Sequence, residues 1–136
     1  MSREASLVEV SRLLAESLDL AVVTRRIAEV VRELFQVHTA VLVTVDAGGG
    51  IVGIGSAGPV PPAPFRLRRS STLASAVIRD GVPHRTADIL DDPRVSPRPE
   101  DRAVIARAGH RAVLCVPLMS RGRVIGALSL GDRVLG

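Results

Sequence analysis

The chain has 136 residues, 46% of them hydrophobic, and carries a formal charge of +4 from 18 basic and 14 acidic residues. That length makes about one domain, with enough apolar mass for one core and no need of disulfide or metal staples. Every basic residue is Arg, Lys, Asn, Tyr and Trp are absent, and Phe35 and Phe65 are the only aromatics; this looks like GC-rich coding, excludes base stacking on aromatic rings, and scatters the positive charge instead of gathering it on a nucleic-acid-binding face.

Apolar residues recur at helical spacing at Leu7, Val10, Leu14 and Leu18. Asp19 interrupts with cap chemistry, and a second stripe follows at Leu20, Val23, Ile27, Val30, Val31 and Leu34. Two consecutive amphipathic helices over 1–35 are therefore expected, the second with a stripe wide enough to cover a sheet. Residues 38–45 (HTAVLVTV) are rich in β-branched side chains and read as a strand, residues 46–50 (DAGGG) as a turn, and 51–54 as the hairpin partner. The Gly- and Pro-rich stretch 55–64 reads as a loop and 65–68 as a short strand.

Ser70, Ser71 and Thr72 offer N-cap hydroxyls to a helix that Gly81 stops. A short strand over 82–86, a turn-rich segment over 88–99 and a helix over 100–108 ended by Gly109 follow. Residues 111–119 and 123–130 form the clearest hairpin, apolar at nearly every position, so both of its faces must be covered. The whole is an α+β, three-layer arrangement over residues 1–136: N-terminal helices on one face of a mainly antiparallel sheet, and the remaining elements, 38–132, forming the sheet and a roof on its other face.

Cys115 is the only cysteine, which rules out an intrachain disulfide and a multi-cysteine metal site and fits a reducing, cytoplasmic setting. Glu4 and Glu9 spoil a signal-peptide pattern, and no apolar run approaches the roughly 18 residues that span a bilayer. No Gly-rich phosphate loop, nucleophile with an arranged base or catalytic carboxylate pair is present, so no catalysis is expected. Asp91 and Asp92, before Pro93, have the sequence of an Asx-type turn.

The order of elements and the local wording resemble the GAF domain, a small ligand-sensing and dimerising module of bacterial signalling proteins. The pieces that carry the resemblance are Gly81-Val82-Pro83, then 88–94 (DILDDPR), and 111–132 (RAVLCVPLMSRGRVIGALSLGD), with Val116-Pro117-Leu118, the Arg121-Gly122-Arg123 turn and Val124-Ile125-Gly126 in the family's order. Ser70-Ser71-Thr72-Leu73 stands where relatives carry glycines, and relatives continue past the last strand into a helix beside the first, so a fragment of a longer signalling protein is expected. The resemblance implies a pocket on the sheet face opposite the terminal helices. Similarity to the family's pigment-binding members implies that Val113, Cys115, Ala127, Ser129 and Gly131 face inward, with Asp101 and Val104 on the opposite wall, a set that is self-consistent with the period-two geometry of a strand pair.

Several chemical alternatives attach to those positions. Cys115 reads as a small core residue, or as an attachment point or reactive thiol; the family's free methionine sulfoxide reductases need further cysteines. His38, His84 and His110 form no close-spaced ligand pair, and haem-binding relatives place their histidine near Arg107, so neither haem, bilin nor a metal is expected. Cyclic-nucleotide-binding relatives use Asn and Lys, which are absent. Arg66, Arg68 and Arg69 lead into Ser70–Thr72, which reads as an anion site at a helix start or as solvated arginines beside capping hydroxyls. Asp101 reads as a partner for a basic group or for the helix dipole. The implied function is a non-catalytic sensor for a small, anionic or largely apolar molecule that signals through flanking helices. The alternative is a ligand-free dimerisation module whose pocket is filled by its own side chains. Leu7, Val10 and Leu14 form a candidate seam for a homodimer.

Overall fold

The first 47 residues contain no Gly or Pro, and 33 of them form one continuous helix, α1 (Arg3–Phe35). The computed structural model describes residues 2–68 and 72–133, apart from the side chains of Ser17 and Leu18. Ser2 caps α1, its Oγ accepting from the Ala5 amide at 3.1 Å, and Gln36 closes it in the left-handed conformation with φ of 52°. The two helices expected from the sequence are thus one. Asp19 lies exposed inside it, because a helix interior tolerates Asp for a loss of only about 0.7 kcal/mol and nothing else at that point breaks the chain.

Six strands follow: β1 (Thr39–Val45), β2 (Ile51–Ala57), β3 (Phe65–Leu67), β4 (His84–Thr86), β5 (Ala112–Ser120) and β6 (Arg123–Asp132). They form one sheet in the order β3-β2-β1-β6-β5-β4, with every neighbouring pair antiparallel. Asp46 organises the β1–β2 turn, its Oδ1 accepting from the Gly48 and Gly50 amides at 3.0 and 2.8 Å. The β5–β6 hairpin turns on Arg121 and Gly122, both with positive φ, 52° and 75°, the signature of a twist-matched two-residue turn. β2 runs to Ala57, beyond the expected end at residue 54.

Between β3 and β4 lies α2 (Ala74–Asp80), stopped by Gly81 at φ of 70°. Between β4 and β5 come a single 3-10 turn (Ile89–Asp91) and α3 (Pro99–Ala108), which starts on a proline and ends on Gly109 at φ of 86°. Both helices lie on the face opposite α1. α2 packs against β5 and β6, whereas α3 approaches no strand comparably closely. The larger of two buried clusters lies on this face and joins Val43, Ile51, Leu73, Val77, Ile89, Val113 and Cys115.

On the other face α1 covers β1 and β2 through small residues. Ala28, Ala40, Leu42 and Ala57 form the second cluster, and Thr24 Oγ1 donates to the Ile54 carbonyl at 2.7 Å. A Cβ added at Gly55 would meet the Thr24 carbonyl oxygen at 2.5 Å, so the helix backbone lies almost directly on this strand. The stripe expected to cover the sheet is displaced as a result. Leu20, Val23, Ile27, Val30 and Leu34 remain exposed, while Thr24, Ala28 and half-buried Val31 face the sheet. Close approach selects small side chains, which hydrophobic periodicity does not weigh.

Gly55→Ala should therefore force α1 off β2 and lower stability by about 1–3 kcal/mol, the usual effect of overpacking. A urea midpoint that does not fall would show that the helix is not seated at this glycine.

Candidate functional site

Above the sheet, under α3, lies a partly open cavity of about 260 Å3. Its floor is Val41 and Val43 from β1, Ser129 from β6 and Val113 from β5; Phe65, Arg66 and Leu67 of β3 with Val60 and Pro61 close one side. Thr72, Leu73 and Ile89 complete the wall, and Asp101, Val104, Ile105, Ala108 and His110 form the roof. Phe65 can lean inward because its ring lies over Gly53, where an added Cβ would come within 2.5 Å of it. Antiparallel pairing explains the floor: Val41 pairs with Ser129 and Val43 with Ala127, while Val113 pairs with Gly131 and Cys115 with Ser129, so all share one face.

Val113, Ser129, Asp101, Val104, Thr72 and Arg66 are thus brought together around one space. Thr72 Oγ1 accepts from the Ala74 amide at 3.1 Å, which is the expected capping role, although Leu73 occupies the helix's cap position. Arg66 reaches away from the cavity, donating from Nη1 to Asp46 Oδ2 at 2.6 Å. Arg68 places Nε 3.8 Å from Asp101 Oδ2. Ser71, with Arg69 and Ser70, lies outside the described residues. Cys115 and Ala127 face the same side but are fully buried in the cluster that holds Leu73, Ala74 and Val77. Burial pushes the Cys115 thiol up to about 12, with Ser129 opposing, so a thiolate is scarce near neutral pH. Gly131 lies against His110, whose Cβ and ring Cγ an added Cβ would approach to 3.0 and 3.2 Å.

Among the described residues, two buried side-chain polar atoms have no hydrogen-bond partner, Asp101 Oδ2 and His110 Nδ1, and both residues line the cavity. Burial, and then the neighbouring His38, lower the His110 pKa from its ordinary value, so the ring is neutral near pH 7. Sequence reasoning weighed His110 only as a metal or haem ligand; its place at the end of α3, over a glycine, follows from pairing between distant strands. Val41 and Val43 were also missed, though their spacing in β1 is the signal that finds them once the buried face is known.

The roof is held at both ends. His38 Nε2 donates to the Ala108 carbonyl at the end of α3 at 2.7 Å, and the His38 carbonyl accepts from Arg32 Nε of α1 at 2.8 Å. Arg133 Nε donates to His38 Nδ1 at 3.2 Å, consistent with the Nε2–H tautomer. Below the roof, Arg111 forms a two-pronged pair with Asp88, whose Oδ1 also accepts from the Leu90 amide at 3.0 Å. Arg111 accordingly holds the Asp88 carboxyl below the usual carboxylate range, and the pair fixes the turn that carries Ile89 into the wall. Asp92 Oδ1 accepts from the Arg94 amide at 2.9 Å, the expected Asx-type bond. Among the described residues no group of three or more His, Cys, Asp or Glu side chains could hold a metal ion, and no helix is long and apolar enough to cross a membrane.

A model of the GAF domain family matches residues 17–135. No curated protein sequence matches the chain. Among solved structures, the GAF domain of a phosphoenolpyruvate-protein phosphotransferase from Coxiella burnetii aligns with a TM-score of 0.72 at 17% identity, over 99% of this chain and 82% of that one. The free methionine-R-sulfoxide reductase of Neisseria meningitidis, solved with its substrate, aligns at 0.66 and 21% identity over 99% and 78%. A Staphylococcus aureus NreA protein mutated in its nitrate binding site aligns at 0.61 and 19% identity over 96% and 92%. At these identities the likeness is one of fold.

The buried imidazole gives the site a pH signature. With the folded-state pKa of His110 below 6.5, the unfolded chain takes up the proton first as pH falls, so stability is full above about 6.5 and declines below it. Urea midpoints should drop between pH 7.5 and pH 5.5, and His110→Gln should flatten that drop. An NMR titration midpoint for His110 at or above 6.5 contradicts the assignment.

Proposed function

The chain belongs to the GAF domain family, whose members are ligand-binding and regulatory modules, and on that premise we propose that it is a non-catalytic sensor of a small molecule held beneath α3. The observation that carries this is the cavity of about 260 Å3 itself, close to the lower end of the roughly 300 to 1,000 Å3 common for ligand sites. A dimerisation module with a pocket filled by its own side chains would have no such space. The apolar wall and the pairing of Arg66 with Asp46 favour a largely apolar ligand over an anionic one. The buried, protonated Cys115 thiol speaks against thiol chemistry at this site, although one structural neighbour is a reductase.

Signalling requires that the ligand favour one arrangement of the roof. The support for a route is the chain of hydrogen bonds from the Ala108 carbonyl through His38 to Arg32, which joins the end of α3 to the end of α1. Protein isolated from cells should carry a small-molecule adduct in native mass spectrometry, or be stabilised by a compound in a metabolite thermal-shift screen. The absence of both an adduct and a stabilised hit would remove the sensing function.

Self-association through α1 belongs to the same proposal. Leu7, Val10 and Leu14 are 67%, 52% and 60% exposed, and contiguous apolar surface on a helix favours a symmetric partner. Sedimentation of the wild type should show a dimer that Leu7→Glu with Leu14→Glu converts to monomer. A monomeric wild type at high concentration refutes the seam, and a folded double variant that still dimerises moves the interface elsewhere.

A further inference from the structure

The cavity is apolar along its middle and polar at its ends. Asp101 enters from the first turn of α3 and His110 follows the end of that helix. At about 1.5 Å of rise per residue, about 10 Å of helix runs from residue 101 to 108. Each contributes one buried polar atom without a hydrogen-bond partner, a state that native structures rarely leave unmet.

The two atoms differ in what they lack. Asp101 Oδ2 can only accept, being a carboxylate oxygen. The nearest cation, Arg68 Nε at 3.8 Å, offsets its charge but stands beyond hydrogen-bond reach. Asp101 is therefore short of a donor hydrogen and not of a positive charge. Among the described residues the other cation beside the cavity, Arg66, holds Asp46, so these side chains offer little to an anion. The volume of about 260 Å3 equals about nine water volumes at ~30 Å3 each.

We propose that the cavity takes an uncharged, mostly apolar molecule of about ten non-hydrogen atoms that donates an N–H or O–H hydrogen bond to the Asp101 carboxylate. The neutral imidazole of His110 at the far end accepts or donates, so one further polar group of either kind is tolerated there. This specificity rests on the sensing function proposed above and names its ligand class. It also assigns Asp101 as the residue that discriminates, since a site with a buried unpaired acceptor rejects a ligand that lacks the donor.

Three probes of equal heavy-atom count separate the possibilities: indole with one N–H donor, benzothiophene with the same shape and no donor, and benzoate as the anion. Each is titrated into the isotopically labelled chain, with the amide signals of Val104, Ile105 and Val113 marking the cavity. Indole should bind roughly tenfold more tightly than benzothiophene, the usual scale for a hydrogen bond to a charged acceptor, and benzoate more weakly than both. Asp101→Leu should bring the indole-to-benzothiophene ratio to about one, whereas Asp101→Asn, which keeps an acceptor, should retain a preference. The ratio is read within each variant, so a change in stability does not mimic the effect. Equal binding of indole and benzothiophene to the wild type, or benzoate as the tightest probe, overturns the donor specificity and leaves the sensing function standing. Absence of binding by all three probes overturns the proposed ligand class, and joined to a failed metabolite screen it removes the sensing function as well.

Discussion

The close contact between Thr24 of α1 and Gly55 of β2 decides how the two faces of the sheet are used. Because the helix backbone lies on the strand there, small side chains predominate between them, those of Thr24, Ala28, Ala40 and Ala57, with Leu42 the one large buried member of the cluster among the described residues. A seat that narrow covers β1 and β2 and turns the helix's larger side chains outward. Leu114 on β5 remains 40% exposed on this side. The bulk of the aliphatic core is accordingly placed on the opposite face, among the largest fully buried side chains Ile51, Leu73, Val43, Val77 and Cys115.

On that face the two roof helices behave differently, and the difference makes the cavity. α2 presents Ala74, Ala76 and Val77, all buried, to a floor of Cys115 and Ala127, and small surfaces on both sides let it settle closely. α3 is short and polar in its first turn, with Glu100 and Asp101, and its apolar positions Val104 and Ile105 meet the sheet across open space. It is tied at its ends, by Asp101 facing Arg68 and by Ala108 bonded to His38. A helix held at its ends and not along its length leaves room beneath without losing its place, as the sensing function proposed above requires.

Much of this was legible in the sequence where it depends on local order. The β5–β6 hairpin, the glycine stops at Gly81 and Gly109 and the inward parity of Val113 and Ser129 follow from alternation and turn chemistry. What escaped depends on distances between elements. Asp19 carries cap chemistry but ends no helix, since a cap matters only where the backbone already departs from helical angles. The stripe of Leu20, Val23 and Ile27 is the more hydrophobic face of α1, yet Thr24 and Ala28 face the sheet because contact distance, not hydropathy, selects the face. Cys115 and Ala127 have the parity expected of cavity residues, but parity fixes only the side of the sheet, and α2 covers them on that side.

The position of His38 shows how such a roof can be coupled to the rest of the molecule. Its backbone carbonyl accepts from Arg32 in the last turns of α1, its backbone amide donates to Gly131 of β6, and its ring reaches the last carbonyl of α3. Three elements, α1, β6 and α3, thus share one residue between the end of α1 and the start of β1. An imidazole is planar and its donor nitrogen has one direction, so a displacement of Ala108 cannot be absorbed by rotation of the bond alone; either the ring follows or the bond breaks. A ring that follows carries the change to the junction where α1 leaves the sheet. In the sensing function proposed above, a shift at the C-terminal end of α1 would act as a lever about the seat at Thr24 and Ala28 and would move the exposed N-terminal half most.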